Sequence, residues 1–169
     1  MPPIMPFVFQ KSTPLAVSAE TAFAFHSNPA NITVVMPPTL KLTRLEAESP
    51  AREGGLILLE GIDFGLIPMR WRCRWQTVQP PTLLVDEMLE GPFAQFVHEH
   101  RFDPQPDGTC LMHDRVTYLF RPTWWGRLLS QTGVRLTLHA LFSYRHQRTR
   151  QWAKNTALHA ATPNQATSS

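Results

Sequence analysis

The sequence predicts an α+β fold: an antiparallel sheet of about seven strands curved around one long C-terminal helix, with two short helices after the first strand. Three observations carry this. Residues 40–120 read as successive alternating segments separated by turn formers, and period-2 alternation marks strands with one buried and one wet face. Helix-start signals appear only once before them, just after a first short alternating run. Residues 124–154 carry an apolar stripe near a 3.6 period. An antiparallel sheet with helices against one face is a standard way to bury both surfaces.

Taken in order, Pro6 to Val17 is the first strand, with Phe7 and Phe9 on one face and Pro14 near the end of its regular pairing. Ser18 is placed to cap a short helix through Ala22, Phe23, Phe25 and His26, with Glu20 in its first turn. Asn28-Pro29 breaks that helix, Ala30 to Val35 adds a helical turn or two, and Pro37-Pro38 forces an extended exit. Strands follow over Leu40–Glu48 and Gly55–Phe64. The clearest strand is Gly65–Gln79, where Met69, Trp71, Cys73 and Trp75 alternate with Arg70, Arg72 and Arg74. The arginine face is expected to meet solvent and pair with acids of neighbouring strands. Thr82 to Glu90 is the next strand, its inward parity open between Leu84, Asp86 and Met88 and the alternate set.

Gly91 to Tyr118 reads as one hairpin. Its first arm puts Phe96, His98, His100 and Phe102 on one face; its second puts Cys110, Met112, Asp114, Val116 and Tyr118 on one face. Asp107-Gly108 supplies the turn. Pairing Asp103 with Thr109 sets His98 opposite Asp114 and His100 opposite Met112, which brings two imidazoles and a carboxylate to one apolar wall. A register slip of one residue would turn the histidines away. The long helix is expected over Trp124–Lys154, from Leu128, Leu129, Val134, Leu138, Leu141, Phe142 and Trp152. Residues 1–154 form a single domain on this reading, and 155–169, rich in Ala, Thr, Asn and Ser, form a disordered tail.

A chain of 169 residues, 43% apolar, is long enough to bury one core. No apolar run approaches the ~18 residues that span a bilayer. The N-terminal stretch lacks the basic region and cleavage site of a signal peptide, and the two cysteines, Cys73 and Cys110, make no disulfide framework, so a cytoplasmic location is expected. Net charge is +3, yet after Asp114 there is no acid and eight bases. That block reads as a solvated helix face, with an anionic membrane or a protein partner as the lesser alternative. No nucleic acid is expected, since the arginine strand lacks interleaved exposed aromatics. There is no Gly-rich phosphate loop and no serine nucleophile elbow.

The order of elements, with Phe25-His26-x-Asn28-Pro29-x-Asn31, Pro37-Pro38, Ile67-Pro68-x-Arg70-Trp71 and Val85-Asp86-Glu87, resembles the START/Bet v 1-like helix-grip superfamily. Gly91-Pro92-Phe93, His98-x-His100-x-Phe102, Asp114-x-Val116-x-Tyr118 and Phe142-x-Tyr144-Arg145 extend the likeness to bacterial SRPBCC-type, polyketide cyclase-like proteins, over nearly all of residues 6–150. The resemblance implies a seven-stranded sheet wrapped on the C-terminal helix. It implies no single reaction, because lipid binders, cyclases and aromatases share the fold. Trp124-Trp125 departs from the smaller, glycine-richer helix opening that the family leads one to expect.

One helix stripe cannot fill the inside of a curved sheet, so a cavity for a small hydrophobic or aromatic molecule is expected between them. Its lining is read as Met69, Trp71, Trp75, Phe96, His98, His100, Phe102, Met112, Asp114 and Tyr118. Each aromatic fits ordinary core packing equally well. His98 or His100 beside Asp114 suits a general base in a cyclase- or aromatase-like enzyme, and also suits a hydrogen-bonded buried pair. A metal held by His98, His100 and Asp114 is a minor reading, because two histidines on one strand are not a closed ligand set; no cofactor or metal is expected.

Overall fold

The computed structural model describes residues 5–120 and 131–161. Strand β1 is Phe7–Leu15. Helix α1, Ala19–Ser27, is capped by Ser18, whose hydroxyl accepts from the Thr21 amide at 3.3 Å. A 3-10 turn at Pro29–Asn31 and the short α2, Ile32–Val35, follow the Asn28-Pro29 break. The remaining strands are β2 (Leu40–Ala47), β3 (Leu56–Asp63), β4 (Ile67–Gln79), β5 (Leu83–Glu90), β6 (Phe93–Pro104) and β7 (Cys110–Phe120), and helix α3 is Gln131–Ala161.

All seven strands form one antiparallel sheet in the order β1-β7-β6-β5-β4-β3-β2. The hairpins run outward from β7 to β2, and β1 returns to the far side of β7. A bulge at Leu42/Arg44 in β2 lies opposite Gly61, where any Cβ would stand 2.6 Å from the Lys41 carbonyl oxygen. That close approach requires glycine and bends the edge of the sheet. The arginines of β4 face outward and pair across the sheet: Arg70 with Glu60 at 3.5 Å, Arg72 with Glu90 at 2.8 Å, and Arg74 with Glu87. Both cysteines are buried free thiols.

Two expectations need correction. The β6–β7 hairpin pairs His100 with Asp114, His98 with Val116 and Phe102 with Met112, two residues away from the expected register. The turn is the cause. The Asp107 carboxylate accepts from the Thr109 amide at 2.9 Å and from its hydroxyl, Gly108 takes φ +80°, and Gln105 donates to the Thr109 carbonyl. The loop closes from Gln105 to Thr109, two residues tighter than Asp103 to Thr109. A shift of two keeps every side chain on its face, so the histidines stay inside. The second correction is α3, which continues to Ala161 rather than giving way to a tail after Lys154. The expected helix start from Trp124 to residue 130, including Trp124-Trp125, lies outside the described residues, as does 162–169. Among the described residues no helix is long and apolar enough to cross a membrane.

The core falls into two clusters. One gathers Leu15, Phe23, Leu84, Phe102, Met112 and Ala153; the other gathers Phe9, Phe96, Val116, Tyr118, Leu138 and Phe142. The inner-face residues that fall between them in sequence are polar: Asp86 between Leu84 and Met88, His98 and His100 between Phe96 and Phe102, and Asp114 between Met112 and Val116. On α3, Arg145 and His146 fall between Phe142 and Ala153. Period 2 on three adjacent strands and period 3.6 on the helix thus interrupt the two apolar clusters with one polar layer.

Candidate functional site

A cavity of about 700 Å³ lies between the inner face of the sheet and the helices. Its β3 and β4 wall consists of Ile57, Leu59, Met69, Trp71, Cys73 and Trp75. Phe93 and Phe96 continue it, with Trp71 and Phe96 ring centroids 6.2 Å apart, and α3 contributes Val134, Leu138 and Phe142. Pro37, Pro38 and the 68%-exposed Phe64 line it where it meets solvent. Asp63 lies in the lining beside Phe64, and His26, Asp86, His98, His100 and Arg145 supply the charged and titratable groups deeper in it.

Asp114 sits behind these groups and is 2% exposed. His146 Nε2 donates to Asp114 Oδ2 at 2.7 Å. His100 Nδ1 stands 2.6 Å from Asp114 Oδ1, close but off the best hydrogen-bonding direction, and His98 Nε2 is 3.4 Å from the same oxygen. The other nitrogen of His98, Nδ1, is 3.5 Å from Asp86 Oδ2. One carboxylate is therefore ringed by three imidazoles, and a second faces one of them from β5, where Asp86 pairs directly with His98.

Burial sets the proton affinities here. It alone would raise the Asp114 carboxyl, but attraction to His100, the hydrogen bond from His146 and the close approach of His98 hold it well below the usual carboxylate range. Burial lowers His98 and His100 against the pull of Asp114. Burial, with repulsion from His100, takes His26 well below the usual histidine range. His98 and His100 are therefore neutral near pH 7 beside an ionised Asp114. Asp86 goes the other way: burial pushes it up to about 6, against the attraction of His100 and Arg145. Burial lowers Arg145, with Asp114 and Asp86 opposing. Burial pushes the Cys73 thiol far up, so it is no thiolate nucleophile.

A family model described as polyketide cyclase/dehydrase and lipid transport matches residues 15–143. The chain belongs to this family. No curated protein matches it by sequence. Among solved structures it is similar to the di-domain ARO/CYC StfQ from the steffimycin biosynthetic pathway. The TM-score is 0.71 at 14% identity, over 90% of this chain and 52% of that one, so the chain spans about half of StfQ. It is also similar to the Zhui aromatase/cyclase from Streptomyces sp. R1128, at TM-score 0.68 and 12% identity over 96% of this chain and 99% of that chain. A third likeness is to a point mutant of norcoclaurine synthase from Thalictrum flavum in complex with a transition-state analogue. There the TM-score is 0.66 at 14% identity, over 95% and 100% of the two chains. At these identities the likeness is one of fold, the Bet v 1-like helix grip.

Of the residues expected to line the cavity of this family member, Met69, Trp71, Trp75, Phe96, His98 and His100 do. Four do not. Phe102 and Met112 pack with Phe23 and Leu84 in the core under α1, Tyr118 packs in the second core cluster, and Asp114 lies behind the histidines. All four point to the inner face as expected, but core packing covers Phe102, Met112 and Tyr118, and the histidines cover Asp114. The parity of β5 resolves with Leu84 and Asp86 inward and Glu87 outward on Arg74. The expected metal trio changes too. One ligating atom each from Asp86, His98 and His100 lie within 4.8 Å of one another, with Asp86 in place of Asp114. His146 and Arg145 were not anticipated, because both lie in the basic run of α3, where charge alone gives no inward direction. His113, on the outer face, bonds Ser12 and pairs with Asp103.

Proposed function

We propose that this chain holds a small hydrophobic or aromatic molecule in the cavity between sheet and C-terminal helix, its polar end toward Asp86, His98, His100 and Arg145. The observation that carries the reading is the cavity itself: about 700 Å³, walled by Trp71, Trp75, Phe96 and Phe142, with polar groups converging at one part. Ligand sites of this size that are apolar with a few convergent polar groups are the usual form of small-molecule pockets. The family description and the aromatase/cyclase neighbours support the same reading. Native mass spectrometry of freshly purified protein, joined to titration with the aromatic anion 1-anilinonaphthalene-8-sulfonate, tests it. Either a carried mass released on denaturation or saturable one-to-one dye binding weakened by Trp71→Ala is expected. A bare chain that also fails to saturate with dye overturns the reading.

A second reading is a cyclase- or aromatase-like enzyme. It is favoured by His100 lining the cavity with its other nitrogen 2.6 Å from an ionised Asp114, which is how a carboxylate orients a neutral imidazole as a general base. Turnover of a polyketide-type substrate should fall about 10²–10⁴-fold in His100→Ala or His98→Ala, whichever is the base. Activity that survives both changes sinks the mechanism. Membrane or partner binding through the basic helix is disfavoured, since Arg145 lines the cavity and Arg148 donates to the Val34 carbonyl at 3.2 Å.

A further inference from the structure

We propose that Asp86, His98 and His100 form a binding site for one divalent transition-metal ion of the zinc class, open toward the cavity, with Asp114 as the carboxylate that orients both histidines. One ligating atom from each of the three lie within 4.8 Å of one another, and the two histidines are 4% exposed.

Hydrogen-bonding logic leads there. A carboxylate only accepts, so each imidazole nitrogen facing Asp114 carries a proton: His98 Nε2, His100 Nδ1 and His146 Nε2. A neutral imidazole carries one N–H, so His98 Nδ1 holds a lone pair. That lone pair faces Asp86 Oδ2 at 3.5 Å. Two acceptors turned toward each other repel unless a proton or a cation stands between them. Zinc bonds to nitrogen and oxygen of about 2.0–2.2 Å put tetrahedral ligands roughly 3.3–3.5 Å apart. The observed spacing therefore suits a metal and is long for a shared proton. His100 is fixed by the same carboxylate, and its second nitrogen is the one left for a ligand bond.

Asp114 beside both ligating histidines repeats the carboxylate–histidine–metal arrangement that orients such ligands. Three protein ligands leave a coordination position for an oxygen of a cavity ligand. The site stands whether or not the cavity carries an apolar guest.

The test uses the untagged full chain, stripped with chelator and titrated with zinc, with cobalt(II) as a coloured substitute. One zinc per chain by elemental analysis and a tetrahedral cobalt absorption spectrum are expected. Asp86→Ala should abolish the cobalt spectrum, and Asp114→Asn should weaken zinc binding about 10–100-fold. Alanine at the outer-face His113 or at His159 should change neither. Wild-type protein that takes up no zinc and gives no tetrahedral cobalt spectrum overturns the proposal, whatever the variants do. So does binding that persists unchanged in folded Asp86→Ala and His98→Ala.

Discussion

His146 on helix α3 and Asp114 on strand β7 meet through a 2.7 Å hydrogen bond with both side chains 2% exposed, so helix and sheet are joined by a polar tie inside the core. Replacing His146 by Leu keeps the bulk and removes the donor. It leaves an oxygen of an ionised, buried carboxylate unsatisfied, at about 1–3 kcal/mol. Urea denaturation of wild type and His146→Leu measures the loss, and an unchanged midpoint would refute the tie.

Two aromatic residues separate cavity from core. Trp71 lines the cavity, and Phe102 is fully buried away from it. Trp71→Ala should weaken binding of an aromatic probe by about 1–3 kcal/mol. Phe102→Ala should leave probe affinity alone and cost about 3–5 kcal/mol of folding stability. The two measurements, probe titration and denaturation, should give opposite patterns for the two variants.

Acid should destabilise the fold through its buried histidines. His26 has a folded-state proton affinity well below its ordinary value, so its contribution is present above about pH 6.5 and is lost as pH falls and the unfolded chain takes up protons that the folded one refuses. His98, His100 and Asp114 share that sign. Asp86, raised to about 6, has the opposite sign: the folded state gains a proton first, which offsets part of the loss below that pH. Stability measured from pH 7 to pH 5 should therefore fall, and His26→Phe should flatten the slope. A slope identical to wild type would contradict the assignment.

Arg145 and Asp86 should be energetically coupled, since each shifts the other's proton affinity within the polar layer. Arg145→Met leaves two carboxylates without their guanidinium and should destabilise the fold. Adding Asp86→Asn should restore part of the loss, because the uncompensated charge is then removed. A double-mutant cycle reads the coupling, and strictly additive effects would show that the two do not interact.

Much of this was legible beforehand. Alternation placed Trp71, Phe96, His98, His100 and Asp114 on inner faces, and turn chemistry marked the hairpins. The hairpin register was not, because the Asp107 carboxylate tightens the loop through Thr109, a contact that composition does not reveal. Nor does inward direction say where along a strand the cavity ends: Phe102 and Met112 face in, yet Phe23 of α1 packs over them. His146 and Arg145 were hidden for another reason. A helix phase is read from apolar residues, and here the inward positions that complete the site are themselves polar.

The polar tie also bears on which guests fit. A molecule too long for the cavity gains room only by lifting α3 from the sheet. Lifting it would part His146 from Asp114 and Arg145 from both carboxylates at one stroke, so the resistance is charge separation in a dry interior rather than the gradual loss of greasy contact. Girth limits set by apolar packing yield a little with every added methylene. A limit set by ions holds and then fails all at once, so affinity along a homologous series should end in a cliff.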